Sequence, residues 1–311
     1  MLLEQLKAFH AVVKQGGFER ASKSLHVSQP AISMRVKELE RLFGLDLFIR
    51  LGRRDHLTDA GRIVAEYAAR LMIVLREMDE SIDRLKGLQQ GQLRCGTATT
   101  IAVHMLPAVL VQFKKQFPNI DIKLQVGRTV ETEQRIIADE LDVGIVTGIL
   151  ANPDKLKIFH FLTDEFVLIT PPNHPLARLR TVSLKQIRDI PLILREKSSL
   201  TRMIIDESFR AAGVPYNCMM EIGTTEALKK AVAEGLGCSF VSRCSIQTEV
   251  RTGVLTYKRI AGVPMKREHR VIMHKDKSVS GPIEPFLELL KIRPASRART
   301  TRISSKNKKA S

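Results

Sequence analysis

Six side chains between residues 29 and 41 have the chemistry needed to read double-stranded DNA. Glutamine can pair with the edge of adenine, serine can hydrogen-bond to a base or a phosphate, and lysine or arginine can neutralise backbone charge. They lie at the start and along one face of a predicted helix, and they are Gln29, Pro30, Ser33, Met34, Lys37 and Arg41. A helix face that only contacts solvent would show a similar pattern, so the neighbouring elements must support the interpretation.

A basic turn follows this helix. Residues 47–50 and 56–58 can pair as two short strands around the sequence Gly-Arg-Arg-Asp at 52–55. The hairpin would present Arg53 and Arg54 at its tip, where arginine can contact a phosphate or enter the minor groove. A basic turn alone means little, but directly behind a helix-turn-helix it predicts a wing.

A second group of residues carries hydroxyls and lies in loops at the carboxyl ends of predicted strands. Hydroxyls and free N–H groups at helix starts are good donors to a carboxylate, phosphate or sulfate. Each hydroxyl alone could be an ordinary N-cap, but their recurrence at three strand ends predicts a binding site for a small anionic effector. The candidates are Thr97, Thr99, Thr100, Ser198, Ser199, Thr201, Thr224 and Thr225.

Catalytic and metal-binding chemistry have little support in the sequence. Cys238 and His104 are the candidate reactive groups, but no base lies at a recognisable spacing from either. The four cysteines form no C-x-x-C pair, and the eight histidines are too widely spaced to form a ligand pair. We therefore expect a protein that is not an enzyme and that holds no metal and no cofactor.

The DNA-reading residues are positioned by a predicted helical head over residues 1–58. A first helix over 3–15 ends at Gly16-Gly17, a second covers 18–25, and Ser28 caps the third. The predicted buried stripe of the first helix is Leu3, Leu6, Phe9, His10 and Val13, and that of the third is Ile32, Val36, Leu39 and Phe43. A buried apolar face opposite an exposed polar face is typical of a DNA recognition helix.

A long linker helix is predicted over residues 59–88, with Thr58 as its cap. Its apolar residues recur at spacings of three and four, which is typical of a two-stranded coiled coil, and they are Val64, Ala68, Leu71, Leu75, Met78, Ile82 and Leu85. The alternative is that the helix packs only against its own domain, but a helix this long extends beyond a small domain. We expect a homodimer through this helix, and hence an imperfect palindromic operator.

Residues 92–292 alternate short strands and helices, which predicts an α/β body with largely parallel sheets in two lobes. Strands are expected at 93–97, 121–126 and 141–146, and again at 191–194, 218–222 and 238–241, with 166–170 and 269–274 crossing between the lobes. Helices are expected at 101–117, 131–139, 201–212, 225–235 and 283–292. The cleft between two such lobes lies at the carboxyl ends of the strands.

The net charge supports DNA binding less than its size suggests. The formal charge is +17, but residues 293–311 hold seven basic side chains and no acidic one, whereas residues 1–58 hold ten basic and six acidic. We expect this basic tail to be disordered. No apolar run approaches the length of a membrane span and the N-terminus does not resemble a signal peptide, so the expected location is the cytoplasm.

The segment FERASKSLHVSQPAISMRVKELERLFGLDLFIRLGRRDHLTDAG resembles the N-terminal signature of the LysR-type transcriptional regulators. Two body segments, LRCGTATTIAVHMLPAVLVQFKKQFPNIDIKLQVG and EIGTTEALKKAVAEGLGCSFVS, are similar to the carbon-fixation (RuBisCO) operon regulators of that family. The resemblance extends to about residue 292. It implies that residues 18–37 form the helix-turn-helix and that 92–292 form an effector domain like a type 2 periplasmic solute-binding protein.

The resemblance also implies a function and partners. Members of the family are commonly activators that repress their own genes and respond to a small molecule, so we expect operator DNA, an effector and a homotetramer, with RNA polymerase as a further candidate partner. A solute-binding receptor would need only residues 92–292, and an enzyme would use the cleft between the lobes. The DNA-reading head and the missing export signal disfavour the receptor.

Overall fold

The computed structural model describes residues 2–51, 54–85, 91–263 and 265–292. These residues form a helical head, a long linker helix and a two-lobed α/β body. Arg53 and the basic tail at 293–311 lie outside the described residues, as does the side chain of Arg54.

The head is three helices and a hairpin around one core. Ser28 precedes the third helix, and its hydroxyl accepts the backbone N–H of Ala31 at 3.4 Å, as an N-cap does. The core includes Phe9 and Leu39, both fully buried. The elements are α1 (Leu2–Gln15), α2 (Phe18–Leu25), α3 (Gln29–Phe43), β1 (Phe48–Leu51) and β2 (Arg54–Leu57), with β1 and β2 antiparallel.

Two details of the predicted head core are wrong. On α1 the buried face is Ala8, Phe9, Ala11 and Val12, whereas the predicted positions Leu3, Leu6, His10 and Val13 are half-buried. The stripe is rotated because α3 and α4 both pack on this helix, so its neighbours lie on two sides. On α3, Phe43 is 43% exposed because the last turn, ended by Gly44 in the left-handed conformation, projects beyond the core.

The linker helix, α4 (Asp59–Leu85), begins at Thr58, whose Oγ1 accepts the N–H of Gly61 at 2.9 Å. The predicted coiled-coil seam is wrong at its start. Val64 and Ala68 pack into the head core, since the first turns of α4 lie against α1. The exposed apolar side chains of α4, here called the linker row, coincide with the predicted seam only at Met78 and Ile82: Ile63, Tyr67, Val74, Met78 and Ile82. Leu71 and Leu75 are half-buried, and the side chain of Leu85 lies outside the described residues.

Lobe one contains a sheet in the order β4-β3-β5-β12-β6. Strand β3 runs parallel to both β4 and β5, while β12 is antiparallel to β5. The helix predicted over 101–117 is two helices, broken at Met105, which lies outside helical geometry. The elements are β3 (Gly91–Thr97), α5 (Thr99–His104), α6 (Leu106–Gln116), β4 (Ile120–Val126), α7 (Thr129–Ile137), β5 (Val143–Thr147) and, near the C-terminus, α12 (Ile283–Leu289).

Lobe two is joined to lobe one by two long strands, β6 (Leu156–Thr170) and β12 (Lys266–His274), which pair antiparallel. The crossing predicted for 166–170 and 269–274 therefore lies within longer strands. The elements of lobe two are β7 (Thr181–Val182), α8 (Leu184–Ile187), β8 (Pro191–Leu194), α9 (Leu200–Ala211), β9 (Asn217–Glu221), α10 (Thr225–Ala233), β10 (Ser239–Ser242), α11 (Gln247–Arg251) and β11 (Thr256–Ile260). Parallel pairing holds β8 to β9, whereas β10 and β11 are antiparallel to β6.

Candidate DNA-binding surface and effector cleft

The outer face of α3 is polar, basic and exposed. Ile32, Val36 and Leu39 point into the head core, so the residues between them must point outward. Five predicted DNA contacts, together with Glu38, line one shallow surface groove: Pro30, Ser33, Met34, Lys37 and Arg41. Gln29 lies exposed at the start of the helix. The geometry is that of a helix whose front is free to enter a groove of DNA.

A glutamate on α3 holds the wing in place. Glu40 Oε1 accepts the backbone N–H groups of Leu47 at 2.9 Å and Phe48 at 3.3 Å, where β1 begins. Thr58 Oγ1 donates to Asp46 O at 2.7 Å, which ties the start of α4 to the same segment. The hairpin and the recognition helix therefore keep a fixed relative position. The sequence reasoning missed Glu40, because a glutamate that follows a leucine in a helix looks like any other exposed helical carboxylate.

The predicted effector residues of lobe one lie at the end of β3 and the start of α5. Thr97 is fully buried, and its Oγ1 donates to Ile145 O at 3.0 Å, so this hydroxyl is engaged within the lobe. Thr99 and Thr100 lie in the first turn of α5, where the N-cap Ala98 offers no side-chain hydrogen bond. The first turn of this helix therefore keeps backbone N–H groups available.

The predicted residues of lobe two fall at two helix starts. Ser198 and Ser199 precede α9 and Thr201 is in its first turn, and Ser199 makes no side-chain capping bond. Thr224 caps α10, because its Oγ1 accepts the N–H of Ala227 at 3.3 Å, and Thr225 follows it. Thr224 is thus an N-cap, the ordinary role that the sequence left open for every one of these hydroxyls.

Two close approaches between the lobes lie near these predicted residues. A Cβ built on Gly148, after β5, would lie 3.3 Å from Leu200 at the start of α9. His104 Nε2, at the end of α5, lies 3.4 Å from Glu226 Oε1 in the first turn of α10. The ends of lobe-one elements therefore face the helix starts of lobe two. The part that the hydroxyls play in binding stays a prediction.

The sequence reasoning missed two further threonines of lobe one. Thr129, at the start of α7, donates from Oγ1 to Thr147 O at 2.7 Å. Thr147 Oγ1 donates to Glu268 O at 2.9 Å. Both threonines follow the pattern of hydroxyls at strand and helix ends, so the same signal could have found them.

Cys238 and His104, the two candidate reactive groups, lie in surroundings that do not favour catalysis. Cys238 Sγ lies 3.7 Å from His174 Nε2, but the cysteine is fully buried in the core of lobe two. Burial raises the pKa of the Cys238 thiol to about 12, so it carries no thiolate at neutral pH. His104 contacts Glu226, and burial lowers its pKa. Within the described residues, no group of three or more His, Cys, Asp or Glu side chains could hold a metal ion.

Comparison with known families identifies both parts of the chain. The family described as "Bacterial regulatory helix-turn-helix protein, lysR family" matches residues 3–62, and the "LysR substrate binding domain" matches residues 86–294. The chain is a LysR-type transcriptional regulator. Its fold is therefore the helix-turn-helix head with a two-lobed effector domain that the sequence predicted, and its relatives are transcriptional regulators.

Relatives of this LysR-type regulator match it over nearly its full length. The HTH-type transcriptional activator CmpR of Synechocystis sp. is 34% identical over 288 residues, covering 93% of this chain and 94% of the relative. The RuBisCO operon transcriptional regulator of Allochromatium vinosum is 33% identical over 288 residues, covering 93% and 95%. The second of these relatives supports the predicted similarity to carbon-fixation regulators.

Solved structures also match the LysR-type regulator. Full-length OxyR from Pseudomonas aeruginosa covers 93% of each chain with a TM-score of 0.71 at 22% identity, a likeness of fold. The regulatory domain of CcmR from Synechocystis PCC6803, in complex with 2-PG, is 30% identical with a TM-score of 0.58, covering 65% of this chain and 96% of that one. In the described ranges, every helix of the regulator is too short or too polar to cross a bilayer.

Proposed function

We propose that the regulator binds an imperfect palindromic operator as a homodimer, with α3 of each subunit in the major groove. The observation that carries this is the outer face of α3, where Ser33, Lys37 and Arg41 surround Met34, which is 59% exposed. An exposed large apolar side chain among polar and basic ones fits contact with a thymine methyl. From the sequence we expect Arg53 and Arg54 of the predicted wing to supply further phosphate or minor-groove contacts.

The linker row supports the dimer. These apolar side chains extend along α4 from the head to beyond its middle and lie exposed in a single chain. Contiguous exposed apolar surface of this kind marks an interaction site. A second copy of α4 would cover the row and place two recognition helices on two half-sites.

Operator binding by a double variant tests the recognition face. Replacing Ser33 and Lys37 with alanine removes a polar contact and a phosphate contact without touching the core, so we expect operator binding to be abolished while the dimer persists. Lys7→Ala, which removes a lysine of α1 that does not line the α3 groove, is the matched control. Fluorescence anisotropy with labelled operator and sedimentation of the free protein give the two readouts. Normal operator affinity in the double variant would refute the assignment.

We further propose that the cleft between the lobes binds a small anionic metabolite. Whether the cleft is occupied or empty then controls activation of target genes and repression of the regulator's own gene. The regulator acts in the cytoplasm as a homotetramer that contacts RNA polymerase. Support comes from the starts of α9 and α10, which lie close to Gly148 and His104 of lobe one, and from the CcmR regulatory domain in complex with 2-PG. Because 2-PG is bound by a similar domain, it is the first ligand to test.

Calorimetry with the full-length chain tests the cleft. Thr99→Val and Thr201→Val each remove one hydroxyl donor while keeping the side-chain shape. A hydrogen bond to a charged group contributes about 1.5 kcal/mol or more, so each variant should bind 2-PG about tenfold more weakly. Thr252→Val, whose hydroxyl bonds within its own helix at Thr248 O, is the control. Unchanged 2-PG affinity in both cleft variants would refute their assignment.

A further inference from the structure

Charged side chains attach the linker helix to lobe one. Arg70 Nε lies 2.9 Å from Asp276 Oδ2, and Arg76 pairs with Asp139. Glu77 Oε1 accepts a backbone N–H from the loop after β12. These contacts occupy two turns of α4 and reach two separate loops of the lobe. One side of the helix is therefore held against the body while the linker row on the other side stays exposed.

At the centre of this attachment lies a group of five charged residues, the junction cluster: Arg76, Arg94, Asp139, Asp142 and Lys277. Arg94 holds Asp142 by two guanidinium hydrogen bonds of 2.7 and 3.1 Å. Lys277 pairs with Asp142 and lies 3.1 Å from Asp139 Oδ1. Arg76, from the linker helix, pairs with Asp139 and lies 4.0 Å from Asp142 Oδ1. The cluster thus joins α4 to lobe one.

The cluster is buried, so its members depend on one another. Lys277 is only 2% exposed, and both carboxylates are buried. Burial alone would raise the pKa of Asp142, but hydrogen bonds from Arg94 and the charge of Lys277 outweigh it and hold that pKa at about 2. A buried charge that loses its partner is strongly unfavourable, which makes the arrangement discrete rather than freely adjustable.

Two side chains of the head lie within electrostatic range of Asp139. His10 and Lys14 of α1 are partly buried, burial lowers the pKa of each, and the charge of Asp139 acts on both in the opposite direction. Arg76 joins the linker helix to the loop between α7 and β5, and the first turns of the same helix pack into the head core.

The elements that carry the cluster also reach the effector cleft. Strand β3 contains Arg94 and ends at Thr97. Asp142 directly precedes β5, which ends at Thr147, and α7 begins at Thr129 and is followed by Asp139. A shift at the cleft ends of these elements would move their other ends, because packed strands and helices behave as stiff units.

We propose that the junction cluster is the joint through which the state of the effector cleft reaches the linker helix, with Arg76 as the positioning residue. This rests on the proposed effector function, but its mechanical part does not depend on any ligand. Lobe one, α4 and the head then move together, and lobe two is the part that an effector displaces. Coupling of this kind requires one element whose position both sites share.

Hydrogen exchange on the full-length chain tests the joint without an effector. In Arg76→Gln we expect amide exchange across residues 70–82 to be about tenfold faster than in the wild type. Arg210→Gln breaks an exposed arginine–glutamate pair on lobe two and is the matched control, with no expected change there. Arg76→Lys keeps the charge and should retain part of the protection. Wild-type exchange in Arg76→Gln would overturn the proposal.

Effector-dependent DNA bending tests the coupling. With operator DNA and 2-PG, Arg76→Gln should keep 2-PG affinity within about threefold and lose the 2-PG-dependent change in bend angle that we expect of the wild type. A full bend response in Arg76→Gln would also overturn the proposal. If the wild type does not bind 2-PG in calorimetry, the effector proposal fails, while hydrogen exchange still decides the joint.

Discussion

Gly61→Ala is expected to destabilise the head, although alanine is the better helix former. Gly61 lies in the first turn of α4, and a Cβ built there would lie 2.1 Å from Leu47 O and 3.0 Å from the side chain of Leu57. No real Cβ approaches a backbone oxygen so closely. The helix would therefore have to move away from the start of the wing.

The sizes of the opposing free-energy contributions decide whether Gly61→Ala stabilises or destabilises the head. In a helix interior, alanine is favoured over glycine by about 1 kcal/mol. Overpacking against backbone costs about 1–3 kcal/mol. Movement of α4 would also weaken the hydrogen bonds from Thr58 N to Leu47 O, at 3.1 Å, and from Thr58 Oγ1 to Asp46 O, at 2.7 Å. Those bonds contribute about 1 kcal/mol each, so the net loss is about 2–4 kcal/mol.

Hydrogen exchange of peptides from residues 2–62 measures this loss, because the head can open independently of the body. Gly223→Ala is the matched control: a Cβ there meets nothing within 4 Å, and we expect a change within about 0.5 kcal/mol. Operator affinity should fall with head stability, since the wing starts at the displaced segment. Wild-type or stronger protection of the head in Gly61→Ala would refute the close approach of α4 to β1.

Three further predictions concern DNA contact, pH and assembly. Lys37→Ala should lower the slope of log affinity against log salt by about 2 per dimer, one phosphate contact in each half-site, in anisotropy titrations; an unchanged slope would remove Lys37 from the phosphate contacts. Burial, followed by the charge of Lys14, lowers the pKa of His10 from 6.5 to about 4. The unfolded chain therefore takes up this proton first, and head stability should fall between about pH 6.5 and 4, by up to roughly 3 kcal/mol. Hydrogen exchange of the head should show that fall in the wild type, and an equal fall in His10→Gln would contradict it. Met78→Glu, within the linker row, should weaken dimerisation at least about tenfold in sedimentation, and an undisturbed dimer would exclude the row as the interface.

Local patterns predicted the elements well where they depend on neighbouring residues in the chain. The cap at Ser28, the strand Pro191–Leu194 and the helix starts at Leu200 and Thr225 follow from turn chemistry and periodicity. The break at Met105 and the first half of β6 were missed. Both depend on partners distant in the chain: α5 and α6 pack on different neighbours, and β12 pairs with β6 from Leu156 to Glu165.

By itself the sequence determined the head, its polar recognition face and the alternation of the body, because each depends on periodicity, capping and composition. The family signature then follows from the same residues. Only the tertiary structure decided which apolar residues of α4 face the head and which stay exposed. A helix with apolar residues on several faces can pack through any one of those faces. It also decided that Arg76 meets Asp139, 63 residues away, because buried charges choose their partners in space rather than along the chain.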